Sequence, residues 1–149
     1  MKLSKHLDIA EVIRSESAKR EGIINMPTPE HYENLKVIAE KVFEPIREHF
    51  GVPILISSGY RSESLNIYIG GSRSSDHSKG RALDIDMDGS SSGVTNKMVF
   101  EFIKDNLEYD QLINEFDYAW VHVGYRLDAN RKQTLRANKV NGKTTYSPY

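Results

Sequence analysis

Apolar residues recur at helical spacing through the first third of the chain. Leu35, Ile38, Val42 and Ile46, continued by His49, fall at intervals of three and four, which predicts a helix with one buried face. Thr28 is its expected cap, with Pro29 at the first helical position and Glu30 and Glu33 in the early turns. Pro45 lies inside the stripe and predicts a kink or a fresh turn. Upstream, Ser4 and Asp8 are candidate caps, with a short helix expected within Asp8 to Ser17 and a break at Asn25 to Pro29. Gly51-Val52-Pro53 ends the long helix.

The periodicity then shortens. Ile54-Leu55-Ile56 is a β-prone run that leads into Ser57-Ser58-Gly59-Tyr60-Arg61-Ser62. A short helix is expected over Ser62 to Tyr68, then a flexible loop over Gly70 to Ser75. Ala82 to Met87 alternates, placing Asp84 and Asp86 on one face and Leu83 and Ile85 on the other. After a loop at Ser90 to Gly93, Thr95 caps a second amphipathic helix with Val99, Phe102, Ile103 and Leu107 inward. Gln111 to Phe116 and Trp120 to Tyr125 read as two strands joined by a short turn. Arg131 to Ala137 reads as a further strand, with a hairpin-type turn at Asn141-Gly142. Helices and hairpins in this order predict an α+β fold, a small antiparallel sheet with flanking helices, rather than repeating βαβ units.

Composition narrows the function classes. The 149 residues are expected to form one domain, 1–149, with its own core. A formal net charge of -1 leaves no electrostatic case for nucleic acid or a membrane surface as partner. No cysteine is present, so a metal site must be built from His, Asp and Glu. The first residues carry no signal-peptide pattern, and no run approaches the roughly 20 apolar residues of a membrane span. Synthesis in the cytoplasm, with delivery by other factors, is the expectation.

Three residues carry the chemistry. His77 and Asp84 stand seven positions apart around Gly80 and Ala82, and His122 follows in Trp120-Val121-His122-Val123. Two imidazoles and one carboxylate are the ligand types of a catalytic zinc that keeps one position open for water. Each residue alone has a plainer role: an exposed loop histidine, a cap or ion-paired aspartate, a packed strand histidine.

The pattern Ser75-x-His77-x-x-Gly80-x-Ala82-x-Asp84, followed by Trp120-Val121-His122-Val123, resembles the zinc D-Ala-D-Ala carboxypeptidase family. Further matches lie at Phe43 to Arg47, Ser57 to Ser62, Asn66, Gly70-Gly71-Ser72 and Gln111 to Phe116, so the resemblance runs from about Leu7 to about Ala137. It implies a hedgehog-like zinc fold, with His77, Asp84 and His122 as ligands of Zn2+. It implies that Arg61 contacts substrate or the developing oxyanion, and that Ser75 positions substrate or holds its loop. Many members carry an acid three residues before the last histidine; here Ala119 stands there. Glu115 is the expected general base, through strand alternation, with Asp117 second and Asp86 expected to orient a ligand histidine. The implied activity is hydrolysis of an amide bond in peptidoglycan stem peptides, of D-Ala-D-Ala or L-Ala-D-Glu type, by a monomeric, endolysin-like enzyme. A zinc-stabilised binding or phage structural module is the alternative, favoured by Ala119. The tail from Asp128 to Tyr149 is expected to be a solvated hairpin, its Lys and Arg residues leaving contact with anionic wall polymers as a second reading.

Overall fold

The computed structural model describes all 149 residues. Asp8 caps α1 (Ile9–Ile13), and Glu11 completes a capping box. The expected single helix here is two. Arg14 is extended, and the Ser15 hydroxyl accepts the Ala18 N–H to start α2 (Glu16–Glu21). Thr28 caps α3 (Pro29–Ile38), accepting from the His31 N–H at 3.1 Å.

Pro45 acts in an unexpected way. The helix widens into a π turn over Ala39–Phe43 and resumes as α4 (Glu44–Phe50). The Glu44 N–H reaches back five residues to the Ala39 carbonyl. Proline has no N–H to give, and its ring crowds the carbonyl one turn back, so a widened turn admits it without a sharp kink. The apolar stripe therefore stays on one side: Leu35, Ile38, Val42 and Ile46 are all buried. Each such side chain contributes roughly 1.5–3 kcal/mol by leaving water. In α6 (Asn96–Asn106), Val99, Phe100 and Ile103 are buried, while Leu107 falls just past the helix end.

Six strands form one sheet: β1 (Ile56–Ser58), β2 (Ala82–Ile85), β3 (Gln111–Glu115), β4 (Trp120–Gly124), β5 (Gln133–Val140) and β6 (Lys143–Pro148). Their order is β1-β2-β4-β3-β5-β6. The α+β class is as expected, and the sheet is antiparallel except between β3 and β5. That parallel pair has a topological cause. The β3–β4 hairpin returns the chain to the end where β3 began, and the crossing segment 125–132 enters β5 from that same end. Buried Asp110, just before β3, holds the crossing through two bonds to the Arg131 guanidinium, at 2.9 and 2.8 Å. β1 starts two residues later than the Ile54 run implied, and β5 extends three residues beyond Ala137.

Leu83, Ile85, Leu112, Val121 and Val123 point from one sheet face into a core shared with α3, α4 and α6. No helix is long and apolar enough to cross a membrane. The opposite face of the sheet is the floor of an open cleft.

Candidate metal centre

His77 sits on a single 3-10 turn, Asp76–Lys79, between α5 (Glu63–Tyr68) and β2. The Ser75 hydroxyl caps that turn by accepting the His77 N–H. Gly80 ends it with φ 73° and lies against the His31 carbonyl of α3, where a larger residue has no space. His77 is 3% exposed, and its Nδ1 lies 2.6 Å from the Gly59 carbonyl. A carbonyl only accepts, so Nδ1 carries the proton and Nε2 presents its lone pair. Nε2 lies 3.3 Å from Asp84 Oδ1.

Asp84 and His122 are brought together by sheet register. They are direct partners across β2 and β4, and His122 Nδ1 lies 2.9 Å from the same Asp84 oxygen. One ligand atom from each of His77, Asp84 and His122 lies within 4.8 Å of the others. A tetrahedral metal with bonds of about 2.0–2.1 Å has ligand atoms about 3.3–3.4 Å apart. The His77 distance matches that edge and the His122 distance is about 0.4 Å shorter, so a small outward shift of His122 lets the donor set take a zinc-sized ion. Burial works against the Asp84 charge, yet the His77 and His122 side chains outweigh it and hold its pKa far below the usual carboxylate range. Burial likewise disfavours the His122 cation, but the hydrogen bond and charge of Asp84 raise its pKa overall.

The register extends the site across the sheet. Residues opposite one another share a face. Asp84, His122, Ile113, Leu135 and Pro148 form one row across β2, β4, β3, β5 and β6. Trp120, Glu115, Ala137 and Tyr146 form the next. Glu115 therefore shares the His122 face, as alternation predicted. It lines a cleft of about 930 Å³ together with the three candidate ligands. Burial raises the pKa of Glu115, with the charges of His122 and Asp84 acting on it in opposite senses. Asp117 is exposed in the turn and does not line the cleft.

Arg61 and Ser75 also line the cleft. The Arg61 backbone N–H donates to the His77 carbonyl, tying the two segments together. Its Nε is buried with no hydrogen-bond partner in the chain, and burial lowers its pKa against the pull of Asp84. Asp86 does not orient a ligand histidine. It lies past the end of β2, accepting from Asp88 N–H and from the Asn96 amide. The Gly59 carbonyl takes the orienting role for His77, and a backbone acceptor leaves no side-chain signal in a sequence.

The short turn expected between β3 and β4 is present, and its backbone is left-handed. Phe116, Asp117 and Tyr118 all have positive φ, of 54°, 56° and 63°. Left-handed backbone costs roughly 1–2 kcal/mol per non-glycine residue. Two buried asparagines hold it: Asn114 accepts the Tyr118 N–H, and the Asn96 amide donates to the Tyr118 and Ala119 carbonyls. The turn sets Phe116 against Trp120 at the cleft edge, with ring centroids 5.4 Å apart. The tail is not merely a solvated hairpin: Leu135, Lys139, Thr144, Tyr146 and Pro148 of β5 and β6 form a wall of the cleft.

No curated protein matches the chain significantly. The family model described as peptidase M15 matches residues 5–124, a span that contains His77, Asp84, Glu115 and His122. With four-fifths of its length matched and all three donor residues inside that span, the chain belongs to the peptidase M15 family.

Proposed function

We propose that this protein is a zinc metallopeptidase that hydrolyses an amide bond in peptidoglycan stem peptides. Family membership supports a zinc-dependent peptidase, and the convergence of His77, Asp84 and His122 at ligand distances is the observation that carries the reading. When bound by these three side chains, zinc supplies Lewis acidity, lowering the pKa of a water to about 7 and polarising the scissile carbonyl. The rest falls to the chain. His77 is fixed by the Gly59 carbonyl, so its donor nitrogen needs no reorientation. Glu115 takes the proton of the attacking water and returns it to the leaving amine. A carboxyl with a raised pKa suits both transfers. Arg61, always charged and with an unpartnered donor, stabilises the carbonyl oxygen as negative charge develops. Ser75 holds the His77 turn and borders the substrate path.

With Ala119 where many members carry an acid, the shared sheet face of Glu115 and His122 supports Glu115 as the base. The test combines metal analysis with Glu115→Gln. The wild type is expected to bind one zinc per chain and release peptide fragments from purified peptidoglycan. The variant is expected to keep the zinc and lose cleavage by at least about 10²-fold. Stoichiometric zinc with no fragments from the wild type overturns the enzyme reading in favour of a binding module.

A further inference from the structure

The β5–β6 hairpin lies beyond the matched residues 5–124, so family membership assigns it nothing. Its placement is informative. Leu135 and Pro148 continue the row that contains Asp84 and His122, and Ala137 and Tyr146 continue the row that contains Glu115. Lys139 and Thr144, direct partners, form one more row on the same face. All but buried Ala137 line the cleft. Ala137 is the only small side chain in its row, and it opens the space between Glu115 and Tyr146.

We propose that this hairpin is the substrate-selecting wall of the cleft, and that Lys139 receives a carboxylate of the bound peptide about three to five residues from the cut bond. The proposal rests on the peptidase reading above. The Lys139 ammonium sits 5.5 Å over the Phe116 ring, a contact that positions it while leaving its N–H donors free. No carboxylate lies within ion-pair distance of it: of the three cleft acids, Asp76 and Asp84 are engaged by Arg126 and by the two histidines, and Glu115 is not within ion-pair distance of Lys139. Lys139 and Arg61 are the cleft's two lysine and arginine side chains, and they stand at opposite sides of the candidate metal centre.

Sheet spacing sets the distance. Lys139 lies two strands and four residues along from the His122 position, roughly 16 Å backbone to backbone at ~4.8 Å per strand and ~3.3 Å per residue. The lysine side chain spans about 6 Å, so about 10 to 16 Å remains according to its direction, or three to five extended residues. In a stem peptide cut between its two terminal D-alanines, the free carboxylate of the γ-linked D-glutamate lies at about that range. At an L-Ala–D-Glu bond it adjoins the cut. The wall therefore fits the D-Ala-D-Ala bond.

Two synthetic peptides test this: L-Ala-γ-D-Glu-L-Lys-D-Ala-D-Ala and the same peptide with the D-glutamate α-carboxylate amidated. The zinc-loaded wild type is expected to show a KM about fivefold lower for the acid than for the amide, at equal kcat. Lys139→Ala is expected to abolish that difference and Lys139→Arg to keep it. Equal KM values in the wild type, or a Lys139→Ala loss that is the same for both peptides, overturns the proposal. Calorimetric binding of both peptides to the same proteins separates it from the peptidase reading. If neither peptide is cleaved, the enzyme reading falls. The Lys139 assignment then stands only on a binding preference for the acid that Lys139→Ala removes, and equal binding of acid and amide overturns it.

Discussion

Gly80 is the residue on which the metal-site geometry can be tested most directly. Substituting alanine imposes two separable penalties. The first is conformational: at φ 73° a Cβ costs about 1–2 kcal/mol. The second is steric. The added Cβ would lie 2.4 Å from the His31 carbonyl oxygen and 3.1 Å from Leu35 Cγ. The 3-10 turn and α3 must then part by about 1 Å to restore ordinary contact, which adds about 1–3 kcal/mol of overpacking. Gly51 supplies the control. It ends α4 at φ 66°, and a Cβ there meets nothing within 4 Å, so Gly51→Ala bears only the first penalty. For a chain of this size, 1 kcal/mol corresponds to about 2–4 °C in Tm. Gly80→Ala is thus expected to melt roughly 2–12 °C below Gly51→Ala in metal-free circular dichroism scans. The displaced turn carries His77, so zinc affinity, measured by competition with a chromophoric chelator, is expected to fall at least tenfold in Gly80→Ala alone, as for loss of a group that orients a ligand. Equal Tm losses in the two variants, with zinc affinity unchanged, would falsify the claim that close packing of Gly80 on α3 builds the site.

Three further outcomes follow from the same geometry. The folded-state pKa of His122 is raised, so its stabilisation is complete below 6.5 and is lost as pH rises through the raised value. The raised pKa of Glu115 acts in the same direction, since ionising that carboxyl costs stability as pH climbs past 4.5. The metal-free protein should therefore melt lower at pH 8 than at pH 6, while the Tm gain on adding zinc grows over that interval, because zinc needs neutral imidazole; a metal-free Tm that does not fall sinks the argument. Arg61→Ala should lower kcat by about 10²–10³ with zinc stoichiometry intact, and Arg61→Lys should restore little because the planar fork is lost; a change confined to KM in steady-state assays would reassign Arg61 to substrate binding. Asp110→Asn removes a buried partner of Arg131 and Arg126, at 2.8 and 3.3 Å. Both arginines reach water, so the expected loss is about 2 kcal/mol in urea unfolding, below the cost of breaking a fully buried pair; no measurable loss would show that the network does not anchor the crossing into β5.

Local signals in the chain specify the elements whose physics is local. Thr28-Pro29 starts α3, Ser62 starts α5, Thr95 starts α6, and Asn141-Gly142 turns the last hairpin. Caps and turns are settled by the few residues that make them, so their chemistry is written in order along the sequence. The same holds for the donor types at His77, Asp84 and His122, and for the need of a turn at Gly80. Where Pro45 was concerned, the sequence announced a disturbance but not its form, since a π turn and a kink relieve the same crowding.

Tertiary structure decided the remainder. The choice of Glu115 over Asp117 depends on the pairing of β3 with β4, and a one-residue slip would have turned Glu115 into the core. The Gly59 carbonyl that orients His77 and the buried Asn96 and Asn114 that hold the left-handed turn act through partners distant in the chain. The tail became a wall of the cleft only because β5 pairs in parallel with β3. Composition and spacing thus determined which atoms are available to hold a metal. Strand register, which requires knowing each strand's neighbour, determined that Glu115 and the β5–β6 hairpin line the same cleft.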